Sequence, residues 1–327
     1  MTTRLFSANF SPFDSRHIRN HQVIYVSDAS ILCGTALFYF SKFLSVSLLA
    51  LIALAGHAVS AEPVKMYYGM SDFPAKLERA DYDGALYVSY RLLLNELDAP
   101  LDFIYAPYKR TQRLLTEAEP ACTFYALKTA QREQAHYFSL PLTFLSTPRL
   151  YIRGDKPLDD DLLNEHGELR SLKAFFDTQP DALMLLIDGV SYGDALDSRI
   201  ADLPERNIVK RASGDRHNKL SGMFFRDRVD IALIYPQEVK QHLALNPEDT
   251  EPFQSYVIAG IPATTSGYIM CNQHPQTETL IARVNQALMR LYDTPAFIEG
   301  QLRHSPESEH PLLEAAILEA KQQSAKE

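Results

Sequence analysis

ACTFYALKTAQREQAHYFSLP, residues 121–141, is the stretch around which the rest of the chain arranges itself. Ala121 to Leu127 is a mostly apolar run with β-forming Thr, Phe and Tyr, so it predicts a strand. Lys128, Thr129 and Arg132 then form a polar corner, followed by a short helical turn. Phe138-Ser139-Leu140-Pro141 leads into a second strand. An arginine on such a corner has a physical use, because its planar guanidinium offers two parallel donors to a carboxylate while the corner adds a hydroxyl and backbone N–H groups. The alternative is a solvated arginine on a helix surface.

Upstream, VKMYYGM (64–70) predicts a strand and SDFPAKLERADYDG (71–84) a loop, with Phe73 beside Pro74 as a candidate pocket ring and Tyr67 as a core residue. Residues 85–98 place Leu86, Tyr90, Leu93, Leu94 and Leu97 at helical spacing. PLDFIYAPY (100–108) is the next strand, and residues 109–119 the next helix. Strand alternating with helix is the rhythm of a mostly parallel sheet. In such sheets ligands bind at the carboxyl ends of strands, where Tyr108, Arg110, Thr129 and Arg132 would converge.

Downstream, residues 142–154 carry the chain onward and residues 155–177 end in a helix. ALMLLIDG (182–189) is a strand opening into Gly189-Val190-Ser191-Tyr192-Gly193 and then a helix. A strand, a Gly/Ser turn and a helix start can accept an anion through backbone N–H groups. RVDIALIYPQEVKQHL (228–243) is a strand and helix with Tyr235 at their junction, residues 253–271 bring the chain back, and residues 274–302 predict one long amphipathic helix. The tail from Pro306 predicts helix.

The chain has 327 residues, 46% hydrophobic and 22% charged, which is globular composition with room for one large or two medium domains. Its formal net charge is −9. Residues 1–61 carry four basic groups and two acids, so the remainder stands at −11. An acidic body without a basic run argues against nucleic acid or an anionic membrane surface as partner. Lys42, the apolar segment Phe43–Ala55 and Ala-Val-Ser-Ala (58–61) read as a secretory signal cut after Ala61, which places the mature chain in the periplasm. The apolar part after Lys42 is shorter than the roughly 20 residues a membrane span needs. Residues 1–36 fit no part of such a signal, and an initiation near Leu37 is expected. Cys33, in Ser-Ile-Leu-Cys, lacks the small residue that a lipidation site needs before it.

The order of apolar run, Thr-x-x-Arg (Thr129–Arg132) and Phe-Ser-x-Pro (Phe138–Pro141) resembles the first-domain signature of the family 3 periplasmic solute-binding proteins. The resemblance extends in order over about residues 62–305, although the glycine usual before the first lobe's key strand is replaced by Glu119-Pro120. It implies an α/β, two-lobed type II periplasmic-binding fold, each lobe a mostly parallel sheet flanked by helices, joined by two crossover strands. The implied division is a leader over 1–61, lobe one over 62–141 with 267–327, and lobe two over 146–262. The implied ligand set is Arg132 clamping a carboxylate, with Thr129, Phe73, Tyr108 and Arg110 around it, facing Gly189, Ser191, Tyr192 and Tyr235. Tyr235 stands where amino-acid binders place the acid that pairs with the ligand's α-amino group, so a plain α-amino acid is not the expected solute. Cys122 and Cys271, which the resemblance puts on neighbouring antiparallel strands, form the expected disulfide of an exported chain, two buried thiols being the alternative.

The sequence holds no Gly-rich phosphate loop, no His/Cys metal spacing and no Gly-x-Ser-x-Gly. His136, His217 and His242 lie in polar helical contexts as surface residues, and Asp159-Asp160-Asp161 reads as loop solvation or capping. The expectation is a monomer with no cofactor and no catalytic residue, which captures a small anionic solute for an inner-membrane permease or sensor. The competing expectation is an enzyme on the same fold acting on a small carboxylate. An acid or histidine placed against Arg132 would favour it.

Overall fold

The computed structural model describes residues 62–79, 84–211, 216–226 and 228–324. The expected secretory signal, its expected cleavage site and Cys33 lie outside the described residues. Two sheets organise the chain. The first has the order β2-β1-β3-β11-β4, with β5 also paired to β11. Its strands are β1 (Val64–Tyr68), β2 (Leu101–Tyr105), β3 (Ala121–Ala126), β4 (His136–Phe138), β5 (Thr143–Ser146) and β11 (Thr264–Asn272). The second has the order β10-β6-β9-β7-β8, from β6 (Arg149–Arg153), β7 (Met184–Ile187), β8 (Ile208–Arg211), β9 (Ile231–Ile234) and β10 (Phe253–Tyr256).

The expected parallel ladder forms one half of each sheet: β2, β1 and β3 in the first, β9, β7 and β8 in the second. The other half is antiparallel, and its strands are those that enter and leave at the crossings. β5 and β11 pair with each other from Thr264 opposite Ser146 to Gly267 opposite Thr143, so the outgoing and returning chain meet in one ladder. Strands β3, β7 and β9 are buried along their whole length, as strands covered on both faces must be.

Helices α1 (Phe73–Glu78), α2 (Ala85–Glu96), α3 (Tyr108–Leu114) and α4 (Ala130–Ala135) follow the first strands. The predicted loop at 71–84 is therefore partly helical: Pro74 sits in the first turn of α1, where its missing N–H costs nothing. α5 (Leu172–Thr178), α6 (Asp194–Ala201), α7 (Arg216–Phe225) and α8 (Pro236–Leu245) belong with the second sheet's strands. The long helix predicted over 274–302 is two helices, α9 (Pro275–Leu291) and α10 (Pro295–Leu302). Pro295 breaks it, because proline lacks the N–H a helix interior needs and disfavours helix at the residue before it, and Thr294 caps the new start by accepting from Phe297 N. α11 (His310–Ser324) completes the tail.

Around the first sheet Phe73, Tyr90, Leu93, Phe124, Phe144, Val284, Leu288 and Phe297 form one core, while Leu150, Phe175, Phe176, Met184, Leu186 and Leu233 form the core of the second. Between Tyr268 opposite Ala126 and Met270 opposite Thr123, the ladder of β11 and β3 slips, leaving Ile269 to face two residues. This bulge puts Tyr125 at φ +54°, a left-handed conformation that an aromatic residue rarely adopts. Gly267 makes room for its ring: a Cβ there would come within 2.8 Å of Tyr125 Cδ2 and would also collide with Thr143 Oγ1. Gly267→Ala is accordingly expected to cost about 1–3 kcal/mol by overpacking, read as a lower urea midpoint; an unchanged midpoint would show that the bulge relaxes freely.

Candidate functional site

β3 delivers the polar corner to the edge of a cleft. Thr129 is extended and buried at the start of α4, and its hydroxyl accepts from Arg132 N at 3.3 Å, so the corner is self-capped. Arg132 donates from Nη1 to the Leu127 carbonyl at 2.9 Å, which draws the guanidinium back along the end of β3 and into the cleft wall. Lys128 turns elsewhere, 5.0 Å from the centre of the Tyr268 ring and 5.5 Å from that of Phe138. Burial and the neighbouring Arg132 charge hold the His136 imidazole below its usual range.

The cleft is walled on this side by Tyr108, Thr111, Gln112, Thr123, Phe124 and Tyr125, and across it by Gly189, Val190 and Ser191. Its free space is about 30 Å³. Gly189 has φ +77°, a conformation that favours glycine, and it packs against Lys109 on the facing wall, to whose N a Cβ there would lie at an ordinary contact distance of 3.5 Å.

Three donors of the turn after β7 are bonded locally: Ser191 Oγ donates to Asp197 Oδ2 at 2.5 Å, Tyr192 N to Asp197 Oδ1 at 2.8 Å, and Gly193 N to Ser191 Oγ at 3.1 Å. Asp197 thus plays the anion within the turn, and Ser191 reaches the cleft as a wall residue.

Of the nine residues singled out from the sequence, the cleft lining brings together Tyr108, Arg132, Gly189 and Ser191, with Thr129 behind Arg132. Phe73 is fully buried, stacked on Tyr68 at 5.3 Å and against Phe124 at 5.2 Å, so it backs the cleft wall and is not among the lining residues. Tyr192 is buried in the second sheet's core, Tyr235 is buried as the residue that starts α8, and neither is among the lining side chains. Arg110 is exposed on α3 and is likewise outside the lining. Thr111, Gln112, Thr123, Phe124 and Tyr125 were not anticipated. Phe124 and Tyr125 belong to the strand that was singled out, but only the bulge reveals which of its side chains face the cleft.

No family model matches the chain, and no curated protein matches it. Solved structures do. A substrate-binding protein of an ABC uptake transporter from Streptococcus pneumoniae, with bound histidine, matches at a TM-score of 0.52 and 13% identity over 82% of this chain and 96% of that one. A structure of the glutathione import and cystine ABC importer system of Streptococcus mutans matches at 0.52 and 10% identity over 76% and 99%. A histidine kinase sensor domain similar to periplasmic binding proteins matches at 0.51 and 14% identity over 74% and 95%. At these identities the likeness establishes the fold: this chain has the two-lobed α/β architecture of the periplasmic binding proteins. That is the architecture implied by residues 121–141. Among the described residues no helix is long and apolar enough to cross a membrane.

Proposed function

We propose that the chain is an exported, periplasmic solute-binding protein that captures a small anionic ligand between lobe one (62–141 with 267–327) and lobe two (146–262), for delivery to an inner-membrane permease or a sensor. The observation that carries this reading is Arg132 at the carboxyl end of β3, beside the aromatic wall of Tyr108, Phe124 and Tyr125 and opposite Gly189 and Ser191. A guanidinium amid aromatic rings suits a carboxylate attached to a flat or apolar body. Among the described residues that line the cleft there is no acid and no histidine, so capture is favoured over catalysis. Lobes joined by two passages can part about a hinge and close on the solute.

The test is a thermal-shift screen of the purified protein against small metabolites, followed by mass spectrometry of each hit. An acidic metabolite recovered unchanged is the expected result. A chemically converted hit would replace capture by an enzyme, and hits confined to cations would overturn the anionic ligand.

A further inference from the structure

The two sheets' bodies touch across the cleft through charged and polar groups of the protein itself. Lys109 Nζ lies 3.3 Å from Asp188 Oδ2, Gln112 Nε2 donates to the Gly189 carbonyl at 2.8 Å, and Ala130 N donates to Asp194 Oδ2 at 2.9 Å. The donors all belong to α3 or to the start of α4. The acceptors belong to the turn after β7 or to the first residue of α6, so that Asp188 and Asp194 bracket the glycine and serine of the cleft wall. One side therefore carries the basic Lys109 and Arg132 and the facing side the acidic Asp188, Asp194 and Asp197. Asp197 is committed within the turn, which leaves Asp188 and Asp194 to reach across.

We infer that Asp188 and Asp194 form an autoinhibitory latch, holding the walls together over a cleft too small for a solute, so that ligand enters only after these contacts part. The inference rests on the two-lobed capture reading. The space left between the walls is about 30 Å³, against the roughly 300–1,000 Å³ of ordinary small-molecule sites. The latched arrangement therefore admits little more than water, and every fraction of the population it holds is withdrawn from binding in proportion. The contacts are exposed, so each tilts the balance modestly, by roughly 1.5- to 5-fold. The Lys109–Asp188 part weakens with salt, because exposed charges are screened over about 8–10 Å at physiological ionic strength. A modest, salt-sensitive latch suits a device that must yield to a solute.

The test measures the distance between spin labels at Arg113→Cys on α3 and Ser198→Cys on α6, both exposed, in the full chain with its native disulfide and no added solute. The parent is expected to give a short distance, with weight moving to a longer one in Asp188→Ala/Asp194→Ala and, in part, as sodium chloride is raised. Lys109→Asp or Asp188→Lys alone should lengthen the distance, and the two together should restore it. A double-alanine distribution superimposable on the parent's, or a charge swap that restores nothing, overturns the latch. Because no solute is used, the two ideas fail separately: an empty metabolite screen with the distances behaving as stated removes capture alone, and a solute hit with unresponsive distances removes the latch alone.

Discussion

Cys122→Ala/Cys271→Ala is expected to lower the unfolding free energy by up to about 5 kcal/mol, the largest effect of any change considered for this molecule. The two cysteines stand directly opposite each other on β3 and β11, bonded, with Cα atoms 3.9 Å apart and no exposed surface. The bridge spans a sequence separation of 149 residues. In the chain-entropy account a loop of that length removes much of the freedom of the unfolded chain, while the folded strands are already neighbours and pay little to be joined. Alanine leaves two small buried cavities and adds no polar group. The measurement is urea unfolding of parent and double variant, each with and without reductant. Reductant should move the parent's midpoint toward the variant's and leave the variant unmoved. A variant within about 1 kcal/mol of the parent would mean that the unfolded chain is already compact across this span.

Arg132→Ala is expected to weaken binding of a screened acidic solute by about 2–5 kcal/mol, since it removes a charge-assisted pair and leaves the partner carboxylate buried. Folding should change little, because Arg132 is only partly buried and its guanidinium donates to the Leu127 carbonyl at the carboxyl end of β3. Arg132→Lys separates charge from geometry: it keeps the cation but loses the two-pronged fork. Calorimetry should therefore rank parent, lysine and alanine in falling order of affinity. Equal affinities for all three would remove Arg132 from the site.

How much of this was legible in the sequence depended on whether a residue's role is local. The strand, corner and turn from Ala121 to Ala135 are local events, written by apolar run, cap and helix former, and they appear where expected. The cysteine pair was legible because the expected leader and the strand adjacency implied by the resemblance bear on it together. Depth is not local. Phe73 beside a proline in a polar stretch looks exposed, and only α2 and β3 packing over it shows that it is core. Tyr192 sits in the turn before α6 and Tyr235 just after β9, where either burial or exposure is compatible with the same neighbours in sequence. The break at Pro295 could have been foreseen, since Asp-Thr-Pro interrupts an otherwise helical pattern. Asp188 and Asp194 gave no warning: acids flanking a glycine turn look solvated until the opposite wall supplies their partners.

The position of the Cys122–Cys271 bond also determines what a protease can do to this molecule. Everything from Thr123 to Met270, the whole second sheet included, lies inside one covalent ring. A single cut in any surface loop of that span opens the ring without dividing the molecule, and the two pieces separate on a gel only after reduction. Nicking inside that span would be survivable damage, with both fragments still tethered at the strands beside the cleft.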